Sequence, residues 1–110
     1  MGVFGGYRTV WVIVMFDLPT DTPEARTGYR HFHNLIMDDG FVRLQFSVYA
    51  RHCSSEENAL VHGRRIMNGL PKGGEVRLLA LTDKQFGRMK VYNGRLPVAT
   101  ELAPQQVLLL

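Results

Sequence analysis

The chain has 110 residues and a mass of 12.5 kDa, which fits one compact domain and leaves no room for a second. Hydrophobic residues make up 45% and charged residues 21%, which excludes the charge-rich composition of a disordered chain. The net charge is +3, and because Lys72, Lys84 and Lys90 are the only lysines, the other ten of the 13 basic residues are arginines, the side chain best suited to phosphate.

The first element is a strand from Val10 to Phe16, where every residue is apolar and most are β-branched or aromatic. Such a run predicts a strand that is buried on both faces. Asp17 ends it. A helix is predicted next, with Thr22 as N-cap and Pro23 in the first helical position, and Gly40 marks its end because glycine adopts the left-handed conformation easily.

The first helix has an apolar stripe and a basic face. Arg26 and Arg30 lie four residues apart and therefore share one face. The predicted core stripe consists of Ala25, Tyr29, Phe32 and Ile36, with Gly28 and Leu35 beside them.

From Phe41 to Arg51, apolar and polar residues alternate without interruption, which predicts a strand. The predicted apolar face consists of Val42, Leu44, Phe46, Val48 and Ala50. The opposite face is mainly polar but carries Phe41 and Tyr49, so it would be covered by a polar partner or nucleic acid, or else be solvated.

A second helix follows, because Ser54 and Glu57 have the spacing of a capping box. Its predicted core contacts are Ala59, Ile66, Met67 and Leu70. Val76 to Thr82 then predicts another strand, and Lys90 to Tyr92 a short one that ends at the Asn93-Gly94 turn.

The segment from Leu96 to Leu110 carries a single charge, Glu101, and ends in Val-Leu-Leu-Leu. It is too apolar to remain free in water. It could form a terminal strand on its own sheet, or add a strand to the sheet edge of a partner protomer, and we favour the partner.

The element order predicts an α+β sandwich with both helices on one face of a sheet. Because Val10 to Phe16 is apolar on both faces, the helix-free face must be covered too, most simply by a second copy related by a two-fold axis. No apolar run approaches the ~20 residues that span a bilayer, and the lone Cys53 suits a reducing compartment. We therefore expect a cytoplasmic protein with no membrane partner.

Three segments in this order resemble a known family: Trp11 to Leu18 (WVIVMFDL), Phe41 to Cys53 (FVRLQFSVYARHC) and Thr82 to Met89 (TDKQFGRM). They are similar to the small prokaryotic CRISPR-associated protein that partners the integrase in spacer acquisition. The resemblance covers roughly residues 8 to 95.

The resemblance implies a ferredoxin-like βαββαβ core over residues 1 to 95, with residues 1 to 7 flexible. It also implies a homodimer whose sheets pack face to face, and an extra C-terminal strand within residues 96 to 110 that is exchanged between protomers. The ferredoxin order requires two strands where the alternation shows one, so we expect a bend near Gln45 to Ser47.

Asp17 is the first candidate for chemistry, because a carboxylate after seven apolar residues is costly to bury unless it binds something. It could simply accept hydrogen bonds from the amides of Leu18 to Thr20. The resemblance implies instead that two copies of Asp17 meet across the dimer and hold Mg²⁺ for phosphodiester cleavage. Repulsion between the two carboxylates would then favour activity at alkaline pH. Ser47 and Tyr49 would line the cleft nearby, or pack on the sheet face.

Several basic residues could contact phosphate, which gives affinity without sequence preference. A solvated surface is the alternative for each of them. The candidates are Arg26, Arg30, Arg43, Arg51, Arg64, Arg65, Lys72 and Arg77.

The resemblance implies a dimer that bridges two integrase dimers and holds a short DNA duplex during spacer acquisition. The same dimer could be a magnesium-dependent endonuclease on DNA or single-stranded RNA. Two alternatives stay open: a stand-alone toxin-type endoribonuclease of the same fold, and a ferredoxin-like domain that senses a small molecule.

Overall fold

The computed structural model describes residues 9 to 98, so the predictions for the first seven residues and for most of the C-terminal tail lie outside the described residues. The elements are β1 (Val10–Asp17), α1 (Pro23–Asp38), β2 (Val42–Gln45), β3 (Val48–Cys53), α2 (Glu56–Asn68), β4 (Glu75–Thr82), α3 (Asp83–Gly87), β5 (Val91–Asn93) and β6 (Leu96–Val98).

The main sheet has four strands in the order β2-β3-β1-β4, and its strand pairs are antiparallel. This is the strand order of a ferredoxin-like βαββαβ sandwich, so the predicted fold class is confirmed. The apolar strand β1 lies in the interior of the sheet, where both of its faces are covered. A separate hairpin of β5 and β6 follows, with Gly94 at φ +65° in its turn, where the sequence predicts one.

The main core lies between the sheet and the two long helices. Even-numbered residues of β1 point to this side, and Val14, Phe32 and Ile36 are among the members of this core that are almost fully buried, together with Cys53 and Ile66. The helix begins as predicted, because the Thr22 side chain accepts a hydrogen bond from Ala25 N (3.0 Å). Gly40 follows its end at φ +88°.

The helix-free face has a smaller core of its own, built around Trp11, Ile13, Ala50 and Phe86. The Trp11 ring stacks on Phe86 with the ring centroids 4.0 Å apart, and Trp11 Nε1 donates to Asp83 Oδ1 (2.9 Å). The chain's own α3 therefore supplies part of the cover that the sequence assigned to a second copy.

The predicted single strand from Phe41 to Arg51 is wrong in its continuity: Phe46 and Ser47 form a turn between β2 and β3, at the expected bend. The turn pairs Gln45 with Val48, and this pairing alone would place odd residues of β2 on the same face as even residues of β3. A register shift between Arg43 and Gln45 corrects this, so that Arg43 pairs with Tyr49 and the alternation continues from β2 into β3.

The two faces of this hairpin are also assigned the other way round. Phe41 and Tyr49 are buried beneath the helices, so the face predicted to be solvated or to meet a polar partner belongs to the main core. Leu44 and Val48, which belong to the predicted apolar face, pack on the helix-free side. Alternation shows which residues share a face, but not which face carries the helices.

Two predictions for α2 are wrong. Its N-cap is Ser55, whose hydroxyl accepts from Asn58 N (3.0 Å), one residue later than expected. Met67 and Leu70 are 59% and 49% exposed and do not enter the core. The buried stripe is formed by Ala59, His62 and Ile66, because His62 gains a partner there that the sequence does not reveal.

Candidate functional site

Asp17 is the last residue of β1, and its side chain is exposed. In the register of the sheet it lies opposite Glu75 of β4. The chain passes very close to it at Gly74, where a Cβ atom would come within 2.6 Å of the Asp17 carbonyl oxygen. Gly74 also has φ +83°, a conformation that glycine adopts without strain. The backbone around Asp17 is therefore closely held, while its carboxylate faces solvent.

Glu75 is a second carboxylate at this end of the sheet, and sequence reasoning missed it. No local pattern links it to Asp17, because only the pairing of β1 with β4 brings the two residues together. Glu75 Oε1 accepts hydrogen bonds from Arg77 Nη2 (2.9 Å) and Nε (3.2 Å) in an exposed ion pair. Within residues 9 to 98, no three metal-ligating side chains come together, so one chain offers at most this pair of carboxylates.

The β2–β3 turn lies directly beside the end of β1. Phe16 N donates a hydrogen bond to Ser47 O (3.1 Å), which ties the turn to the residue preceding Asp17. Ser47 has φ +60°, in the left-handed region that residues other than glycine rarely adopt. Tyr49 is only 5% exposed and its ring stacks on Phe16, with centroids 5.8 Å apart. Of the two predicted cleft residues, Ser47 lies next to Asp17 and Tyr49 is mainly a core residue.

The basic residues predicted to contact nucleic acid fall into different surroundings. Arg26 and Arg30 are exposed on α1, and Arg26 Nη1 donates to Thr20 O (3.1 Å). Arg30 and Arg43 line one depression together, although they belong to a helix and a strand. Arg64 lines a groove between α2 and β4.

Other predicted basic residues make internal contacts. Arg51 is half-buried, with Nε donating to Asp39 O and Nη1 to His52 O, both at 2.7 Å. Arg65 pairs with Asp39 and Arg77 with Glu75. Lys72 lies in the loop after α2, beside a cavity bordered by α1. The eight basic residues are thus spread over several surfaces.

A cluster of polar side chains joins the end of α1 to α2, and sequence analysis did not predict it. Asp39 Oδ2 lies 2.7 Å from His62 Nδ1, and Asp39 Oδ1 accepts from Arg65 Nη1 (2.7 Å). The side chains of His62 and Asp39 are 5% and 6% exposed. Burial pushes the pKa of Asp39 upward, but the hydrogen bonds from Arg65 and His62 outweigh it and hold the pKa below its ordinary value.

His52 and Cys53 point to opposite sides of β3, as the alternation predicts. His52 packs edge-on against Trp11, with centroids 5.1 Å apart, and burial lowers its pKa. Cys53 belongs to the main core, and burial raises the pKa of its thiol, which makes the reactive thiolate scarcer. We interpret Cys53 as a structural residue of the core, and its burial supports this interpretation.

The model of the family described as "CRISPR associated protein Cas2" matches residues 10 to 89. The chain belongs to this family. The match includes β1 with Asp17, both long helices, the β2–β3 hairpin and β4, and it confirms the resemblance that the three sequence segments indicate. Among residues 9 to 98, the structure has no helix with the length and apolarity that crossing a membrane requires.

Curated relatives match over nearly their whole length. One from Parvibaculum lavamentivorans is 53% identical over 98 residues, covering 89% of this chain and 97% of the relative. Another from Flavobacterium psychrophilum is 47% identical over 101 residues, covering 92% and 88%. Both are named "CRISPR-associated endoribonuclease Cas2".

A crystal structure of Streptococcus pyogenes Cas2 at pH 6.5 has the same fold. It matches with a TM-score of 0.54 and 27% identity, covering 76% of this chain and 99% of that one. The ferredoxin-like architecture is therefore shared with a solved member of the Cas2 family.

Proposed function

We propose that this member of the Cas2 family is a dimeric, magnesium-dependent endonuclease whose reaction centre is Asp17. One observation carries the proposal: Asp17 is an exposed carboxylate at the end of a buried central strand, held by the close approach of Gly74 and by the Phe16–Ser47 hydrogen bond. Curated relatives bear the name endoribonuclease, which supports a nuclease activity.

The residues at this end of the sheet fit Mg²⁺. Magnesium prefers carboxylate oxygens, retains most of its waters and is usually held by one or two carboxylates. Asp17 would bind it, together with Asp17 of a second protomer or with Glu75. When bound, the ion supplies charge neutralisation of the phosphate and activation of water. With so few protein ligands, we expect slow cleavage.

The chain's own residues would bind and orient the nucleic acid. Arg26 and Arg30 present their charges along α1, and Arg43 extends this surface onto β2. Charge-assisted contacts of arginine with phosphate hold a strand irrespective of its sequence. This property suits a protein that handles arbitrary foreign DNA or RNA.

A scaffold role in spacer acquisition is the second part of the proposal. In it, the dimer holds the middle of a DNA duplex and joins two copies of the integrase, in the cytoplasm of a prokaryote. The exposed arginines of α1 and the family match over residues 10 to 89 support this role over a stand-alone toxin or a small-molecule sensor.

The test is cleavage of single-stranded RNA and duplex DNA by the wild type and Asp17→Asn, with and without Mg²⁺, at several pH values between about 6 and 9. We expect Mg²⁺-dependent cleavage that increases with pH and is lost in Asp17→Asn, because the amide keeps the shape and removes the charge. Asp21→Asn is the matched control, since Asp21 is an exposed carboxylate in the following loop. Equal cleavage by both variants would exclude Asp17 as the centre.

If neither substrate is cleaved by the wild type but duplex DNA is still bound, the scaffold remains as the function and Asp17 is structural. Light scattering on each variant must show the same oligomeric state as the wild type, so that a loss of activity reports the missing carboxylate and not an altered assembly.

A further inference from the structure

An apolar groove of about 640 Å³ lies between α2 and the outer strand β4. Among the described residues that line it, only Glu56 and Arg64 are charged. Leu60 and Met67 of α2 are 58% and 59% exposed, so large apolar side chains meet solvent along one wall of the groove. Exposed apolar surfaces of this kind mark contact sites.

The chain enters the fold at one end of this groove. Val10, the first residue of β1, lines the groove, and so does Thr82, which lies opposite Val10 in the register of the sheet. The preceding residue is held there as well, because Thr9 O accepts a hydrogen bond from Asp83 N (3.2 Å). Residues 1 to 8 are therefore tethered to the mouth of the groove, which gives them a high effective concentration there.

The sequence of residues 1 to 8, MGVFGGYR, suits an apolar groove. Val3 and Phe4 supply apolar side chains that could cover the exposed wall of α2. Gly5-Gly6 follows them, and glycine adopts positive and negative φ with similar ease, so the chain can reverse its direction at this point. A reversal at the glycines would direct the first four residues along the groove.

The length of the groove matches the length of these four residues. The part of β4 that lines it extends from Leu78 to Thr82, which at ~3.3 Å per residue is about 13 Å. Four extended residues also span about 13 Å. The segment ahead of Gly5 is therefore long enough to reach the far end of the groove.

The charges are complementary at the mouth of the groove. Glu56 lies at this end, because α2 begins shortly after Cys53, the partner of Val10 in the sheet. Arg8 directly precedes Thr9 and brings a positive charge to the same end. The segment contains no acidic residue that Glu56 would repel.

We propose that residues 1 to 8 fold back into the groove between α2 and β4 of their own chain, in contrast to the flexible segment that the family resemblance implies. Phe4 covers the exposed apolar side chains of α2, and Arg8 pairs with Glu56. The contact is autoinhibitory, because a strand that a second protomer adds at β4 requires the same groove and must first displace the segment. This consequence rests on the dimer of the proposed function, whereas the fold-back contact does not.

Disulfide trapping in the full chain tests the contact. Phe4→Cys is combined with Leu60→Cys inside the groove or, as the matched control, with Val61→Cys, which is exposed on the same helix but outside the groove. The buried Cys53 is retained, and Phe4→Cys alone reports any link to it. In dilute protein under mild oxidation, we expect the pair with Leu60→Cys to link within one chain at least about tenfold faster than the control pair.

Non-reducing electrophoresis separates the possible occupants of the groove. A link between two chains would make the N-terminal segment of a second copy the occupant, and equal rates for the two pairs would show that the segment does not enter the groove. Leu109→Cys with Leu60→Cys tests the C-terminal segment, and a faster link from that side in dilute protein would identify it as the occupant. Each of these three results would overturn the inference.

Light scattering over a dilution series tests the autoinhibition. Phe4→Ser should lower the dissociation constant of the dimer about tenfold, because it removes most of the apolar contact of the competing segment. Phe4→Leu keeps an apolar side chain and should resemble the wild type. An unchanged constant for Phe4→Ser would overturn the autoinhibition. Failure of the proposed dimer is distinguishable, since a chain that stays monomeric at every concentration can still form the link within one chain.

Discussion

Asp39 is a single residue that links three parts of the molecule. Its carboxylate contacts His62 and Arg65 of α2, and its carbonyl oxygen accepts from Arg51 of β3. It also follows α1 directly and caps the helix with its amide. Removing the negative charge would leave the buried His62 and the exposed Arg65 without their carboxylate partner.

We expect Asp39→Asn to lower the free energy of unfolding by about 1–3 kcal/mol at pH 7. Asp38→Asn is the control, because Asp38 is the exposed neighbour and should change little. Urea denaturation of both variants gives the comparison. Equal stability of the two would show that the buried carboxylate contributes nothing.

The effect of Asp39 should depend on pH in a defined direction. Its pKa in the folded protein is lower than the ordinary value of 3.8. The contribution of its charge to the free energy of unfolding is therefore fully present above that pH. The contribution is lost as the pH falls through the lowered folded pKa. The difference between wild type and Asp39→Asn should therefore shrink in acid; a constant difference from pH 7 to pH 2 would contradict this linkage.

At the scale of elements, the junction of β4 with β1 determines how Asp17 is presented. Gly74 precedes β4 at φ +83°, and a side chain there would meet the Asp17 carbonyl and Leu18. At Gly73, by contrast, a Cβ would make only an ordinary contact, 3.7 Å from Pro19 Cγ. Substitutions at these two neighbouring glycines therefore distinguish the effect of a strained, crowded backbone position from the effect of simply replacing a glycine in this loop.

We expect Gly74→Ala to destabilise the protein by about 1–3 kcal/mol, because alanine is strained in the left-handed region and the β1–β4 junction must shift. Gly73→Ala should be nearly neutral. Urea denaturation measures the stability, and cleavage assays at 20 °C below each melting midpoint would show whether Asp17 is displaced. A fully active, fully stable Gly74→Ala variant would show that the junction tolerates a side chain.

At the scale of the whole molecule, basic residues lie along one exposed side of α1. Replacing Arg26 and Arg30 together by glutamine should weaken duplex binding and make its salt dependence less steep. Each lost phosphate contact means that fewer counterions are released, so the slope should fall by the equivalent of up to about two contacts. The measurement is the slope of log affinity against log salt concentration. Arg88→Gln with Arg95→Gln is a charge-matched control, and an unchanged slope for the α1 variant would remove this face from the footprint.

A second feature of the whole molecule is an apolar groove of about 640 Å³ between α2 and β4. Leu60, Met67 and Leu79 line it and are 58%, 59% and 46% exposed. Among residues 9 to 98, no strand pairs with the outer edge of β4. An apolar strand from a second protomer would cover both the groove and this edge.

We expect removal of residues 99 to 110 to yield a monomer or an aggregate, because the predicted exchanged strand would be lost. Size-exclusion chromatography with light scattering gives the oligomeric state. Leu109→Asp should have a similar effect and Gln105→Asp a smaller one, which separates the apolar contact from chain length. A truncated chain that stays dimeric would rule out the exchanged strand.

The sequence by itself determined most of the elements and the family. The all-apolar run at β1, the Thr22-Pro23 helix start and the Asn93-Gly94 turn are local features, and local sterics and hydrogen bonding are sufficient to interpret them. Asp17 stood out for the same reason, as a charge at the end of an apolar strand.

Only the tertiary structure decided the partners of these elements. Glu75 comes opposite Asp17 through strand register, Asp39 and His62 meet through helix packing, and Arg30 and Arg43 share a depression across two elements. Such contacts join residues distant in the chain, so no periodicity records them. The face of the β2–β3 hairpin that meets the helices was likewise decided by packing, since alternation is symmetric between the two sides of a sheet.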